Sequence, residues 1–192
     1  MQPSNLKAKP AVAPHISIEI VDALSAADLA DLCDAAEAAI EAGGGFGWIR
    51  PPAREVLERY WKGVLVVPER HLLIARADGT VCGAVQLVTP SRHNEAQSFS
   101  ATLLASFVAP WARGCGAGRK LVETLEKLAV EMGYKILQLD VRHTQTAAIQ
   151  LYESMGYKRW GTNPAYAMVS NRVISGYYYM KNIGTLFALQ EV

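Results

Sequence analysis

The sequence predicts an α/β (α+β) fold in which a mixed, mostly antiparallel sheet carries helices on both faces. Segments of alternating apolar residues and segments with apolar residues at helical spacing follow one another in the order βααβββαβαββ. Two strands, over residues 71–77 and 80–88, flank Asp78-Gly79, a pair typical of a two-residue turn between antiparallel strands. Residues 99–108 form a strand apolar enough to lie at the centre of the sheet.

Alternating and helical spacings of apolar residues also predict the N-terminal strand and helices. Alternating isoleucines predict a strand over residues 15–21. Ser25 is a suitable cap for a helix that Gly43 ends, and a second amphipathic helix covers residues 53–66. The loop over residues 43–52 is rich in glycine and proline and therefore cannot continue either helix. Since this loop also carries two large aromatic side chains, we expect it to shape a ligand pocket.

The C-terminal half contains two more helical patterns and three strands. A long helix follows Pro110 and ends at Gly133, and a shorter one ends at Gly156. The predicted strands cover residues 135–142, 157–161 and 174–181.

Length and composition predict one domain. A chain of 192 residues that is 51% hydrophobic and 19% charged has enough apolar surface for a single core. We expect that domain to span residues 15–182, after a flexible leader over residues 1–14 that contains three prolines. Residues 183–192 are expected to be a C-terminal tail.

Charge and residue usage exclude several classes of function. The formal net charge of +1 gives no electrostatic reason to expect a nucleic-acid partner. No apolar run reaches the roughly 18 residues of a membrane span and no signal-peptide pattern is present, so a cytoplasmic location is expected. The three cysteines lack the paired short spacings of a metal site, so we expect free thiols and no metal. The sequence leaves a homodimer open.

The most informative segment lies between the central strand and the long helix. Small residues at positions 114 and 116–118 would let consecutive backbone N–H groups approach an anion closely at the start of a helix, where the dipole favours negative charge. A Walker loop is excluded because position 119 is Arg and position 121 is Leu. A dinucleotide fingerprint is excluded by the glycine spacing and by the late position of the segment in the chain.

Two motifs resemble the GCN5-related N-acetyltransferases. One is Arg113-x-x-Gly116-x-Gly118 after a strand that ends in Val-x-Pro, and the other is Ala148-x-x-Leu151-Tyr152-x-x-x-Gly156-Tyr157. The resemblance covers roughly residues 15–181. Within the family, residues 45–52 and 139–142 are similar to the branch of the tabtoxin-resistance acetyltransferases, which implies a small-molecule amine as acceptor.

The resemblance implies acetyl-CoA as cofactor and a fold whose two central strands splay apart. The pantetheine arm would then lie along the first of these strands and bind the backbone of Phe107 and Val108. Gln145 stands where the family usually has Asn, and its amide would also reach the cofactor. The pyrophosphate would be held by backbone amides with added charge from one of two arginines, a set that comprises Arg113, Gly114, Cys115, Gly116, Ala117, Gly118 and Arg119.

Two residues are the candidates for catalysis. By resemblance, Tyr152 would bind the cofactor through a hydrogen bond to the CoA sulfur and donate a proton to the departing thiolate, although a packed core tyrosine would also explain its place in a helical stripe. The family often has a Glu on the central strand as base, but Thr102 stands near that position. Asp140 is the alternative base, with a salt bridge to a nearby arginine as the competing explanation.

The acceptor pocket is expected to contain aromatic side chains, Phe46 and Trp48 from the glycine-rich loop and Tyr166 from the loop before the last strand. The predicted reaction is direct attack of a primary amine of a small molecule on the thioester. Acetylation of a protein or peptide amine, and acyl-CoA binding without turnover, are the two alternatives.

Overall fold

The structure is a computed structural model that describes residues 13–44 and 46–185. Most of the predicted leader and tail, residues 1–12 and 186–192, lies outside the described residues. The elements occur in the predicted order and have the following bounds: β1 Ile16–Val21, α1 Ala26–Glu41, α2 Arg54–Leu65, β2 Arg70–Ala77, β3 Thr80–Val88, β4 Ser100–Val108, α3 Ala117–Glu131, β5 Ile136–Arg142, α4 Thr146–Ser154, β6 Lys158–Val169 and β7 Arg172–Asn182.

The seven strands form one sheet in the order β1-β2-β3-β4-β5-β7-β6. Only β4 and β5 pair in parallel, so the prediction of a mixed, mostly antiparallel sheet with the strand after residue 99 at its centre is confirmed. The turn between β2 and β3 has positive φ at both central residues, Asp78 (49°) and Gly79 (92°), which matches the twist of an antiparallel hairpin.

Two apolar clusters lie on opposite faces of the sheet and confirm helices on both sides. Leu121, Val122 and Leu125 of α3 pack on one face, and Leu32, Ile40 and Trp61 of α1 and α2 pack on the other. The start of α1 is capped as predicted, because the Ser25 side chain accepts a hydrogen bond from the Asp28 amide. Among the described residues, no helix is long and apolar enough to cross a membrane.

The two closing strands are longer than predicted. β6 extends to Val169, and β7 begins at Arg172. The turn between them consists of Ser170 and Asn171, both at positive φ (49° and 60°). The alternation of apolar residues does not predict the extra length, because the register of β6 against β7 shifts between Asn163 and Ala167 and interrupts the alternation. The prediction that Tyr166 lies in a loop was therefore wrong, because it lies in this irregular part of β6.

The central strands splay apart, as the resemblance implied. β4 pairs with β5 only over residues 100–102, opposite residues 136–138, although both strands continue beyond that point. On its other side β4 contains a bulge: the register against β3 shifts between Ala84 and Gln86, and Ala105 adopts a φ of 52°. From Leu103 to Val108, β4 therefore has no described strand partner on its β5 side.

Candidate active site

A pocket of about 350 Å³ opens where β4 and β5 diverge. Its walls come from the loop after α1, the bulge of β4, the end of β5, the first turns of α4, and single residues of α2, β2 and β6. The lining residues among those described are Gly44, Phe46, Gly47, Tyr60, Arg70, Leu103, Leu104, Ala105, Ser106, Asp140, Val141, Arg142, Gln145, Ala148, Tyr152 and Tyr166. This central pocket contains both predicted catalytic residues and two of the three predicted acceptor contacts.

Asp140 provides the one carboxylate among the described lining residues of the central pocket. Leu139 and Val141 beside it are buried in the core on the α3 side, so the exposed Asp140 side chain lies on the opposite face of β5, as the alternation predicted. The Tyr166 hydroxyl donates a hydrogen bond to Asp140 Oδ2. Burial and then this hydrogen bond raise the pKa of Tyr166, so its hydroxyl stays protonated and remains a donor.

Tyr166 owes its position to a glycine on the neighbouring strand. A Cβ atom at Gly176 of β7 would lie 2.2 Å from the Tyr166 ring, so only glycine lets the ring pack against the strand there. A residue with a side chain at position 176 would displace the ring from Asp140.

Tyr152 both packs in the core and lines the central pocket. Its side chain is only 5% exposed and makes an edge contact with Tyr157, with ring centroids 5.7 Å apart. Burial raises the pKa of Tyr152, a shift that a hydrogen bond with Ser106 opposes and the charge of Asp140 increases. At neutral pH this phenol is therefore protonated, and its packing in the core is compatible with the predicted role as a proton donor.

The segment before α3 forms a turn whose backbone depends on glycine. Gly114 and Gly116 have φ values of 80° and 86°, where L side chains are strained. Gly116 is the N-cap of α3 and supplies no side-chain hydrogen bond, so the first amides of the helix have no side-chain cap. Gly118 lets α3 pack closely against its neighbours, because a Cβ there would lie only 3.4 Å from Leu151 and 3.7 Å from Val108. We call residues 113–118 the glycine turn.

Several residues that were expected at the cofactor use their side chains to bind protein groups. Arg119 donates to Ser154 Oγ at 2.8 Å, and Arg113 Nε donates to the Val108 carbonyl at 3.4 Å. The Cys115 thiol donates to the Ala112 carbonyl at 2.7 Å, in keeping with a structural role. Gln145 donates to the Gly43 carbonyl and so holds the loop after α1 at the pocket. Contacts of these side chains with a cofactor stay predictions.

The aromatic residues of the loop after α1 divide into two roles. The Phe46 ring stacks on Phe107 of β4 at 4.9 Å and lines the central pocket. Trp48 is not among the described lining residues, and instead makes edge contacts with Phe46 at 5.3 Å and with Tyr60 at 4.9 Å. Trp48 therefore supports the pocket wall from behind, and its direct contact with a substrate stays a prediction.

Sequence reasoning missed a polar group on the α2 side of the central pocket. Gln86 is fully buried in the otherwise apolar β3, accepts a hydrogen bond from Arg70 Nη1 at 3.0 Å, and donates one to the Tyr60 hydroxyl at 2.9 Å. Arg70 and Tyr60 both line the pocket. The available signal was Gln86 itself, since a polar residue in a central strand needs buried partners.

No group of three or more His, Cys, Asp or Glu side chains within the described ranges is placed to hold a metal ion.

Comparison with known proteins gives the family context of this site. Residues 33–157 match the sequence model of the acetyltransferase (GNAT) family. The chain is 58% identical over 130 residues to an uncharacterized N-acetyltransferase of Azospirillum brasilense from the hisH–hisA intergenic region, which covers 68% of this chain and 77% of that protein. It is 35% identical over 95 residues to an IAA acetyltransferase of the same species, covering 48% of this chain and 58% of that protein.

The fold is also similar to that of YncA from Salmonella typhimurium, whose structure contains its cofactor acetyl-CoA. The two structures superpose with a TM-score of 0.72 over 90% of this chain and 96% of the other, at 17% sequence identity. At that identity the likeness concerns the fold.

Proposed function

Because this chain belongs to the acetyltransferase (GNAT) family, we propose that it transfers the acetyl group of acetyl-CoA to a primary amine of a small molecule by direct attack in a ternary complex. The observation that carries the proposal is that the buried phenol of Tyr152 lines a pocket at the cleft between β4 and β5. The glycine turn follows β4 and leads into α3, outside the described lining of that pocket.

The residues present fit acetyl-CoA. The uncapped amides at the start of α3 suit a pyrophosphate, because they retain hydrogen-bonding capacity where the helix dipole favours negative charge. The β5-facing edge of β4 from Leu103 to Val108 suits an extended arm that binds like an added strand. Phe107 and Val108 would contribute backbone groups there, and Arg113 would add positive charge.

When bound, acetyl-CoA supplies a thioester whose carbonyl carbon accepts the amine nitrogen. Ala105 and Ser106, at the bulge of β4, line the central pocket and have no ladder partner on either neighbouring strand. Their amides are the chain's groups for stabilising negative charge on an acyl oxygen. Tyr152, protonated because its pKa is raised, holds the proton that a departing thiolate needs.

The amine must lose a proton before it can attack, since an alkyl ammonium has a pKa near about 10. Asp140 is the carboxylate placed to accept that proton, directly or through water, and the Tyr166 hydroxyl fixes its orientation. Thr102 is half-buried in the ladder between Val88 and Gln138 and contributes no carboxylate.

A small acceptor is supported by the size and composition of the central pocket. A volume of about 350 Å³ lies at the lower end of ligand pockets, and Phe46 and Tyr60 give it aromatic walls. The relationship to the tabtoxin-resistance branch, a cytoplasmic location and a homodimer belong to the same proposal and rest on the sequence.

Two measurements test the proposed function. Calorimetry with acetyl-CoA tests donor binding, and release of the CoA thiol in the presence of an amine library tests transfer. A short-peptide library is assayed in parallel. Thiol release with small amines is the expected result. Transfer confined to peptides would refute the small-molecule acceptor, binding without thiol release would indicate a sensor, and failure to bind acetyl-CoA would refute the proposal as a whole.

A further inference from the structure

We propose that Arg70 and Tyr60 form a carboxylate-binding site in the central pocket, so that the acceptor is an amine that also carries a carboxylate, such as an amino acid. The inference rests on the proposed function and narrows its substrate class. It depends on four observations: the orientation of Gln86, the charge of Arg70, which pairs with no carboxylate among the described residues, the position of Asp140, and the size of the pocket.

The buried amide of Gln86 fixes the direction of the hydrogen bonds around it. A guanidinium can only donate, so the Gln86 oxygen must face Arg70 Nη1, at 3.0 Å. The Gln86 NH₂ group must then face Tyr60, and the phenol oxygen accepts its hydrogen bond at 2.9 Å. The Tyr60 hydrogen cannot point back to Gln86, and it is left to donate elsewhere.

Arg70 carries a charge that the described part of the protein does not neutralise. No Asp or Glu oxygen within residues 13–44 and 46–185 lies within 4.0 Å of its guanidinium, whereas Arg54 and Arg76 each form such ion pairs. Within the described ranges, the one side-chain hydrogen bond of Arg70 uses Nη1. Since Arg70 is half-buried and lines the pocket, its remaining N–H groups are donors at a partly desolvated site.

The guanidinium of Arg70 and the hydroxyl of Tyr60, both bonded to the buried Gln86 amide, are the kinds of donor that bind a carboxylate. The guanidinium supplies charge-assisted hydrogen bonds and the Tyr60 hydroxyl supplies a neutral one, and a carboxylate can accept all of them. Gln86 holds both donors in place before any ligand binds, because one end of its amide bonds to Arg70 and the other to Tyr60.

The opposite wall of the pocket suits the amine end of such a molecule. Arg70 lies in register with Val88, Thr102 and Gln138 across β2 to β5, and Asp140 lies two residues further along β5. With strands about 4.8 Å apart, the backbones of β2 and β5 are separated by about 14 Å, which an Arg side chain and a small molecule can span. An ammonium near Asp140 and a carboxylate near Arg70 place opposite charges at opposite ends of the pocket.

The test compares free L-amino acids with their methyl esters and with the corresponding decarboxylated amines, measured as kcat/KM for CoA thiol release. The native protein is expected to prefer free acids by at least about tenfold, because a charge-assisted hydrogen bond contributes about that factor or more. Arg70→Met should abolish the preference by raising KM for acids while leaving that for esters unchanged. Tyr60→Phe should reduce the preference by a few fold.

The control variant is Arg92→Met, which makes the same change at an exposed position outside the described pocket. It should keep the native preference. Acetyl-CoA affinity, measured by calorimetry for every variant, reports folding and the donor site independently. If Arg70→Met does not fold, Arg70→Lys replaces it and is expected to retain only part of the preference, since Lys cannot form a bidentate pair.

The outcomes separate the two proposals. If esters or decarboxylated amines react as well as free acids in the native protein, or if Arg70→Met keeps the preference, the carboxylate site is refuted while the proposed function stands. If acetyl-CoA does not bind, or if no small amine releases CoA, the proposed function fails first and the carboxylate site fails with it.

Discussion

Replacing Gly116 with Val tests the glycine turn, because the structure separates the effect on folding from the effect on ligand binding. Nothing lies within 4 Å of a Cβ built at Gly116, so the first atom of a new side chain meets open space. Its φ of 86° does impose strain on any residue with a side chain. Left-handed backbone costs roughly 1–2 kcal/mol, which predicts a Tm lower by about 2–8 °C in a domain of this size.

The effect on acetyl-CoA binding should be much larger. A branched side chain at the N-cap of α3 would keep the pyrophosphate away from the amides at the start of the helix. The loss of two charge-assisted hydrogen bonds, at about 1.5–3 kcal/mol each, predicts an affinity lower by about 10²–10⁴-fold. Isothermal titration calorimetry with acetyl-CoA measures this directly.

Gly133 provides the matched control for this substitution. It follows the other end of α3, has a φ of 91°, and also has nothing within 4 Å of a built Cβ. Gly133→Val should therefore lose a similar amount of stability and keep its affinity for acetyl-CoA. An unchanged affinity in Gly116→Val, or an equal loss in Gly133→Val, would refute the assignment of the glycine turn as the pyrophosphate site.

Three further predictions follow from the site and from the packing of α1. Tyr152→Phe should lower kcat by about 10²-fold with little change in acetyl-CoA affinity. Because the pKa of Tyr152 is raised, the phenol keeps its proton up to about pH 10, so its ionisation should cause no decline in the native rate at lower pH. Steady-state kinetics across pH measure both effects. Asp140→Asn should lower kcat/KM by about 10–100-fold at pH 7, with a loss that narrows towards the amine pKa near about 10; a loss that is constant across pH would contradict a role as base. Asp28→Asn should lower the free energy of unfolding by about 1–2 kcal/mol at pH 7 in urea titrations, because it weakens the contact with Arg76. Since bonding to Arg76 and then to Ser25 lowers the pKa of Asp28, that contribution is present above its ordinary pKa of 3.8 and is lost as the pH falls through the lower folded value, so the two proteins should converge in acid.

Local patterns predicted most of the architecture. The strand and helix order, the Asp78-Gly79 turn, the Ser25 cap and the central position of β4 all depend on residues within a few positions of one another, and the structure confirms each of them. The longer β6 was missed because its irregular register against β7 breaks the alternating pattern.

The candidate site was predicted less completely, for a similar reason. Tyr152, Asp140, Phe46 and Tyr166 were found because motif, alternation or composition singled them out, and the structure brings them to one pocket. Arg70 is typical of an ordinary surface arginine in the sequence. Its role depends on Gln86, a residue 16 positions away that meets it only through strand pairing.

The sequence by itself determined the fold class, the glycine turn and the family resemblance, because backbone preferences and short motifs act over a few consecutive residues. Only the tertiary structure decided that Gln145 holds the loop after α1, that Trp48 lies behind the pocket wall, and that an arginine and a phenol share one buried amide. The physical reason is that the direction of a hydrogen bond and the pairing of a charge depend on neighbours distant in sequence, which come together only when the sheet has formed.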